Sequence, residues 1–166
     1  MAAMPKEATG KTGVPTPSRN KPERPRDGLG RPLPWDARPE LELEDYDALS
    51  LEENDRLGRE AVAAGRWFPA HEAWETAWKQ ARGTGDEELF KGLSQMGAGY
   101  VHLLRGNAHG AMTLLRRAAG RVGRYADGHR GIATLALRDR LLADAAGVEE
   151  GSLVPGPDAV FEPPTV

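Results

Sequence analysis

Two segments of the 166-residue chain repeat one pattern 41 residues apart. Gly58, Gly65, Ala70, Trp74 and Ala77 in the first copy correspond to Gly99, Gly106, Ala111, Leu115 and Ala118 in the second. In each copy one glycine lies inside a helically periodic segment and a second glycine ends it. Alanine, a large apolar residue and alanine follow at helical spacing. Small residues let paired helices approach closely, and the large residue fills the space that they leave. The pattern predicts two helical hairpins.

The hairpins resemble those of tetratricopeptide proteins, although the usual tetratricopeptide period is shorter. Two hairpins are too few for a solenoid. The expected fold is therefore all-α, a compact bundle of about five antiparallel helices. Ser50 and Glu53 form a capping box for a first helix ending near Ala64. Pro69 suits the first turn of a second helix reaching about Arg82. Thr84 and Glu87 suggest another capping box, opening a third helix to about Arg105. Asn107 caps a fourth to about Tyr125, and a fifth covers roughly Ile132 to Ala146, ending at Gly147. No segment reads as a strand.

Outside this core the pattern fades. Residues 1–40 hold eight of the thirteen prolines and almost no periodic apolar residues. They cannot bury enough apolar surface to offset the entropy of ordering. They read as a flexible basic tail, with Trp35 the residue placed to dock on the helical domain of residues 41–147. Residues 148–166 read as an irregular C-terminal tail. The fragment "TGKTG" at 9–13 lacks the first glycine and the preceding strand of a phosphate loop.

Charge and composition exclude several chemistries. Residues 1–38 carry eight Lys or Arg against four Asp or Glu, yet the whole chain has a net charge of only -3. The absence of cysteine removes disulfides, zinc ribbons and thiol catalysis, and it fits a reducing cytoplasm. No apolar run resembles a signal peptide or a membrane span. Arg117, Arg121 and Arg124 form a basic stripe on the fourth helix, but no base-stacking aromatics are interleaved with it, which argues against nucleic acid.

The chemistry concentrates in "FPAHEAWETAW", residues 68–78. His71 and Glu75 are four apart and share a helix face, whereas Glu72 points elsewhere, toward Thr76. On the third helix Gln95, Gly99 and His102 line one stripe. Folding back near residue 84 brings position 71 level with about 97, so Gln95 and His102 are expected beside His71. Gly92, Gly97, Ala98 and Gly99 leave space there. Three readings follow. His71, Glu75 and His102 can ligate a divalent metal (zinc, manganese or iron), with Glu72 or Gln95 acting on bound water. The zinc-protease motif itself is absent, because it needs histidine where Glu75 stands. Without a metal, Glu75 can orient His71 as a general base or acid. Alternatively the four residues form a buried network that ties two helices together. The protein is then an interaction module, with a groove lined by Trp67 and Trp74 for a peptide or a second copy.

"AGRWFPAHEAWETAWKQA" with "LFKGLSQMGAGYVHLLRGNAHGAMTLLRRAAGRV" resembles the bacterial and archaeal family called domain of unknown function 309. The residues that carry the resemblance are His71, Glu72, Glu75, Trp78, Gly92, Leu93, Gln95, His102, Gly106, Asn107, Gly110 and Ala111. It implies an all-α fold in which the His/Glu/Gln/His set is characteristic. Some members are labelled predicted metal-dependent hydrolases. Gly97 departs from the pattern, where a small apolar residue is expected; a glycine there loosens the third helix.

Overall fold

The computed structural model describes residues 23–166. Residues 1–22 of the expected tail, with the fragment at 9–13, lie outside the described residues. Among the described residues there are five α-helices and no strand beyond one isolated bridge between Arg26 and Pro32. The helices are α1 (Leu51–Ala63), α2 (Trp67–Gln80), α3 (Glu87–Leu104), α4 (Ala108–Val122) and α5 (Thr134–Glu150). Each packs on its neighbours in sequence, α1 on α2 through to α4 on α5. No helix of the described chain is long and apolar enough to cross a membrane.

The helix ends follow from local chemistry, with two corrections. Ser50 and Glu53 make the reciprocal capping box of α1. The Asn107 side chain accepts from the Gly110 N–H and caps α4. Gly65 and Gly106 end α1 and α3 with φ of +68° and +80°, a conformation that favours glycine. The second capping box does not form. Thr84 Oγ1 donates to the Ala81 carbonyl instead, and Glu87 accepts from the Gly83 N–H. These bonds close the α2–α3 turn and leave α3 to begin at Glu87. Nor does α5 stop at Gly147. It runs one turn further, to the left-handed Gly151, because Gly147 gives Leu153 and Ser152 room to fold back on the helix.

The small-against-large pairing of the repeat is present in both hairpins. A Cβ on Gly58 would lie 2.4 Å from the Trp74 ring, and one on Gly99 would lie 2.9 Å from Leu115. Gly92, earlier in α3, instead faces Val122, late in α4. The two helices therefore run antiparallel. Nothing beyond this pairing ties the hairpins to the tetratricopeptide architecture. Trp74, Leu93, Met96, Tyr100, Leu115 and Leu141 are fully buried in one continuous core. Burying side chains of this size supplies about 1.5–3 kcal/mol each before entropic costs.

Both irregular ends touch the bundle. Phe161 of the C-terminal segment stacks on Tyr100 with ring centroids 5.1 Å apart, and the Gly156 N–H donates to the Leu103 carbonyl. Near the N-terminus it is Leu29 and Gly30 that dock. Arg105 donates to the Leu29 carbonyl, and Gly30 lies under the Phe68 ring. Trp35 does not dock as expected. It is 65% exposed, and the Arg24 guanidinium 6.0 Å from its ring is a neighbour in the same segment.

Candidate metal centre

Ala70, Ala73, Trp74 and Ala77 turn into the core and fix the rotation of α2. His71, Glu72 and Glu75 then fall at the edge of the buried face, with 25%, 34% and 33% of their side-chain surface exposed. Helix α3 meets α2 at this edge. A Cβ on Gly97 would lie 2.8 Å from the His71 backbone nitrogen and 3.0 Å from its Cα. The register of 71 against 97 is therefore as the sequence suggests, but the role of Gly97 is not. It permits a close backbone approach and does not merely loosen α3.

That approach sets the His71 ring. Nδ1 lies 3.0 Å from the Ser94 carbonyl oxygen and 3.0 Å from Ser94 Oγ. A carbonyl can only accept, so Nδ1 carries a proton and donates it. Ser94 is buried, and its hydroxyl also reaches the His71 carbonyl. The other ring nitrogen, Nε2, is thereby aimed at two carboxylates. It lies 3.4 Å from Glu75 Oε2 and 3.8 Å from Glu72 Oε1. Each of the three residues offers a ligand atom within 4.8 Å of the others. On its far side Glu75 accepts from Lys79 at 2.9 Å. Burial raises the Glu72 carboxyl above the usual range; the neighbouring Glu75 adds to this, and His71 opposes it.

His102 stands apart from this trio. It lines a small cavity of about 100 Å³ with His71, Phe68, Ala98, Val101 and Arg105. The Asn107 amide meets His102 Nδ1 at 2.9 Å. Because Asn107 Oδ1 is already committed to the Gly110 N–H, the amide presents its NH₂ group to the histidine. His102 Nδ1 is then an acceptor, and its proton sits on Nε2. Burial, helped by Arg105 and His71, holds the His102 pKa below the usual histidine value. In this tautomer His102 offers the cavity a donor and not a lone pair.

Gln95 turns away altogether. Its Oε1 accepts from Arg121 Nε at 3.0 Å, and Arg121 also pairs with Glu88. Arg121 thus binds α4 to α3, and Arg124, just past the end of α4, lies 4.0 Å from the same carboxylate. The aromatic groove is also absent. Trp74 is sealed, and Trp67 is buried against Tyr100 and Phe161. Glu72 is nearer His71 than helical spacing suggests, because that spacing fixes Cβ positions and a glutamate reaches well beyond its Cβ.

Residues 56–114 match the model of a family described as domain of unknown function (DUF309). The match covers 59 of the 166 residues. No curated protein and no solved structure matches the chain. The matched segment begins inside α1 and ends inside α4, so the DUF309 match takes in His71, Glu72, Glu75, Ser94, His102 and Arg105. Ser94, Arg105 and Lys79 are site residues that the motif reading missed. Ser94 alone carried a signal, as a polar residue three before Gly97 on the face of α3 that meets α2.

Proposed function

We propose that the edge between α2 and α3 is a divalent-cation centre, with His71, Glu72 and Glu75 as ligands, and that it supports hydrolysis. The observation that carries this reading is the His71 ring. Its Nδ1–H is fixed on a backbone carbonyl, the usual second contact of a metal-binding histidine. Its Nε2 faces two carboxylates at distances longer than the ~2.7–2.9 Å of a charge-assisted hydrogen bond. Two donors each about 2.1 Å from one ion are separated by comparable distances, so the spacing fits a shared cation. One imidazole and two carboxylates suit manganese or iron(II) as well as zinc. Bound there, such an ion would supply an activated water for attack on an ester, amide or phosphoryl bond.

The residues of the chain divide the remaining work. Ser94 holds the His71 tautomer. Lys79 orients Glu75. Glu72, with its raised pKa, is the carboxylate that a cation most relieves. Partial exposure of all three ligands gives a substrate access. His102 is not a ligand in this reading, because its free nitrogen is protonated.

Glu72 supplies the test. A carboxyl whose pKa is raised on folding is destabilising once ionised. Its penalty is absent below the unfolded value and fully present above the folded one. At pH 7 the metal-free Glu72→Gln variant should therefore be slightly more stable than wild type, by less than about 1 kcal/mol because the group is partly solvated. Manganese at a hundred times its dissociation constant should stabilise wild type by about 2.7 kcal/mol and Glu72→Gln far less. Thermal melts with and without manganese read both effects. Equal responses of the two proteins to manganese would remove Glu72 from the ligand set, and no response in either would remove the centre.

A further inference from the structure

The cavity beside the proposed centre has a chemistry of its own. Phe68, Ala98 and Val101 supply apolar walls, and its polar groups are His71, His102 and Arg105. Arg105 uses one terminal nitrogen on the Leu29 carbonyl, while its Nε is buried and meets no acceptor. That Nε is sealed from the cavity, so Arg105 can present only its terminal nitrogens there. His102, with Nδ1 filled by Asn107, has its Nε2–H left to donate to the cavity that it lines. Arg105 and His102 thus bring donors to one small space, while the His71 Nε2 lone pair is turned to Glu72 and Glu75.

The surroundings are mixed in sign: Asp27 is the strongest charged neighbour of Arg105, and Glu72 and Glu75 lie against His71. Arg26 and Arg31 act on Arg105 as neighbouring positive charges. Asp27 is the carboxylate among those neighbours, and its oxygens are occupied. Oδ1 accepts from the Leu29 and Arg31 backbone N–H groups, and Oδ2 accepts from Arg31 Nε. A volume of about 100 Å³ admits a carboxylate or a phosphate group. Arginine offers such groups a planar fork, and hydrogen bonds to them are charge-assisted.

We infer that this cavity binds the oxyanion group, carboxylate or phosphate, of a small anionic substrate, with Arg105 and His102 as its donors. His71 borders both the cavity and the carboxylate pair, so the anchored group would place the rest of the substrate beside the cation. That anchoring role rests on the metal reading; the binding of the anion does not.

The experiment uses full-length protein stripped of metal on a chelating resin. Sodium acetate and sodium phosphate are titrated at constant ionic strength against sodium chloride. The Arg105 Nε–H and His102 imidazole signals are followed by nuclear magnetic resonance. Saturable shifts with acetate or phosphate in the millimolar range are expected, and the tighter of the two identifies the source of the oxyanion. Arg105→Gln should weaken binding by at least about tenfold. Arg105→Lys should do nearly the same, because it keeps the charge and loses the fork. His102→Phe, which leaves the Arg105 contact with Leu29 in place, should weaken binding in the same direction. Shifts equal to those in chloride, or binding unchanged in Arg105→Gln, would overturn the inference. Metal uptake is measured separately, so failure here leaves the cation centre standing, and the reverse holds.

Discussion

Replacing Asp55 by alanine is expected to cost about 3 kcal/mol of stability, the lower end of the range for removing one partner of a buried charge pair. Asp55 is 6% exposed, and it accepts from Trp74 Nε1 at 3.0 Å. It also holds Arg59 through two bonds, and Arg130 Nε lies 3.8 Å from it. The alanine variant leaves the Trp74 N–H without its acceptor inside the core and two arginines short of their counter-charge. Arg130 is a costly residue to release. Its backbone sits at φ 51°, rare for a residue with a side chain, and it is held there by Glu52 and Asp86 as well. For a chain of this length the loss corresponds to a melting temperature lower by about 10 °C. Asp55→Asn keeps an acceptor for Trp74 and should lose less. Chemical denaturation reads the effect as a shift in midpoint. An unchanged midpoint in Asp55→Ala would show that the network contributes nothing.

Gly97→Ala should damage stability and the site together. The added methyl meets the His71 backbone at 2.8 Å, and a backbone cannot swing aside as a side chain can. Overpacking of this kind costs about 1–3 kcal/mol. Alanine also returns up to about 1 kcal/mol of helix propensity, which masks part of the cost. Gly120→Ala is the control. That glycine lies inside α4, and nothing lies within 4 Å of its added Cβ. It should gain the propensity term alone. The two substitutions should therefore have opposite signs, and their difference isolates the clash. Parting α2 from α3 also draws His71 away from Ser94, so manganese affinity should fall by about 10–100-fold in Gly97→Ala, as when a supporting contact is lost. It should be unchanged in Gly120→Ala. A Gly97→Ala protein as stable as Gly120→Ala and equal in metal affinity would contradict the account.

Much of the fold was legible because its signals are local. The capping box at Ser50, the cap at Asn107 and the glycines at 65 and 106 act within a few residues. The pairings of Gly58 with Trp74 and Gly99 with Leu115 repeat, so each supports the other. The register of 71 against 97 follows from a short turn. The rotation of α3 was not legible. This helix packs on α2 and α4 and buries residues around most of its circumference, so its apolar pattern does not say which stripe faces which neighbour. The stripe through Gln95 and Gly99 faces α4, whereas Ser94 and Gly97 face α2. Gln95 therefore left the site and Ser94 entered it. The orientation of His102 depended on Asn107, whose capping bond commits its amide. The docking of Leu29 and Gly30 depended on contacts more than 30 residues away in sequence, which no local pattern reports.

The central claim is that His71, Glu72 and Glu75 together hold a cation. Elemental mass spectrometry of purified, untagged full-length protein tests it most directly, beside His71→Ala, after both are offered manganese, zinc or iron(II) and dialysed. The account predicts near-stoichiometric metal in the wild-type protein and its loss in the variant. No metal in either protein, or equal metal in both, would contradict it and leave the three side chains as a polar cluster on α2, tied to α3 through His71.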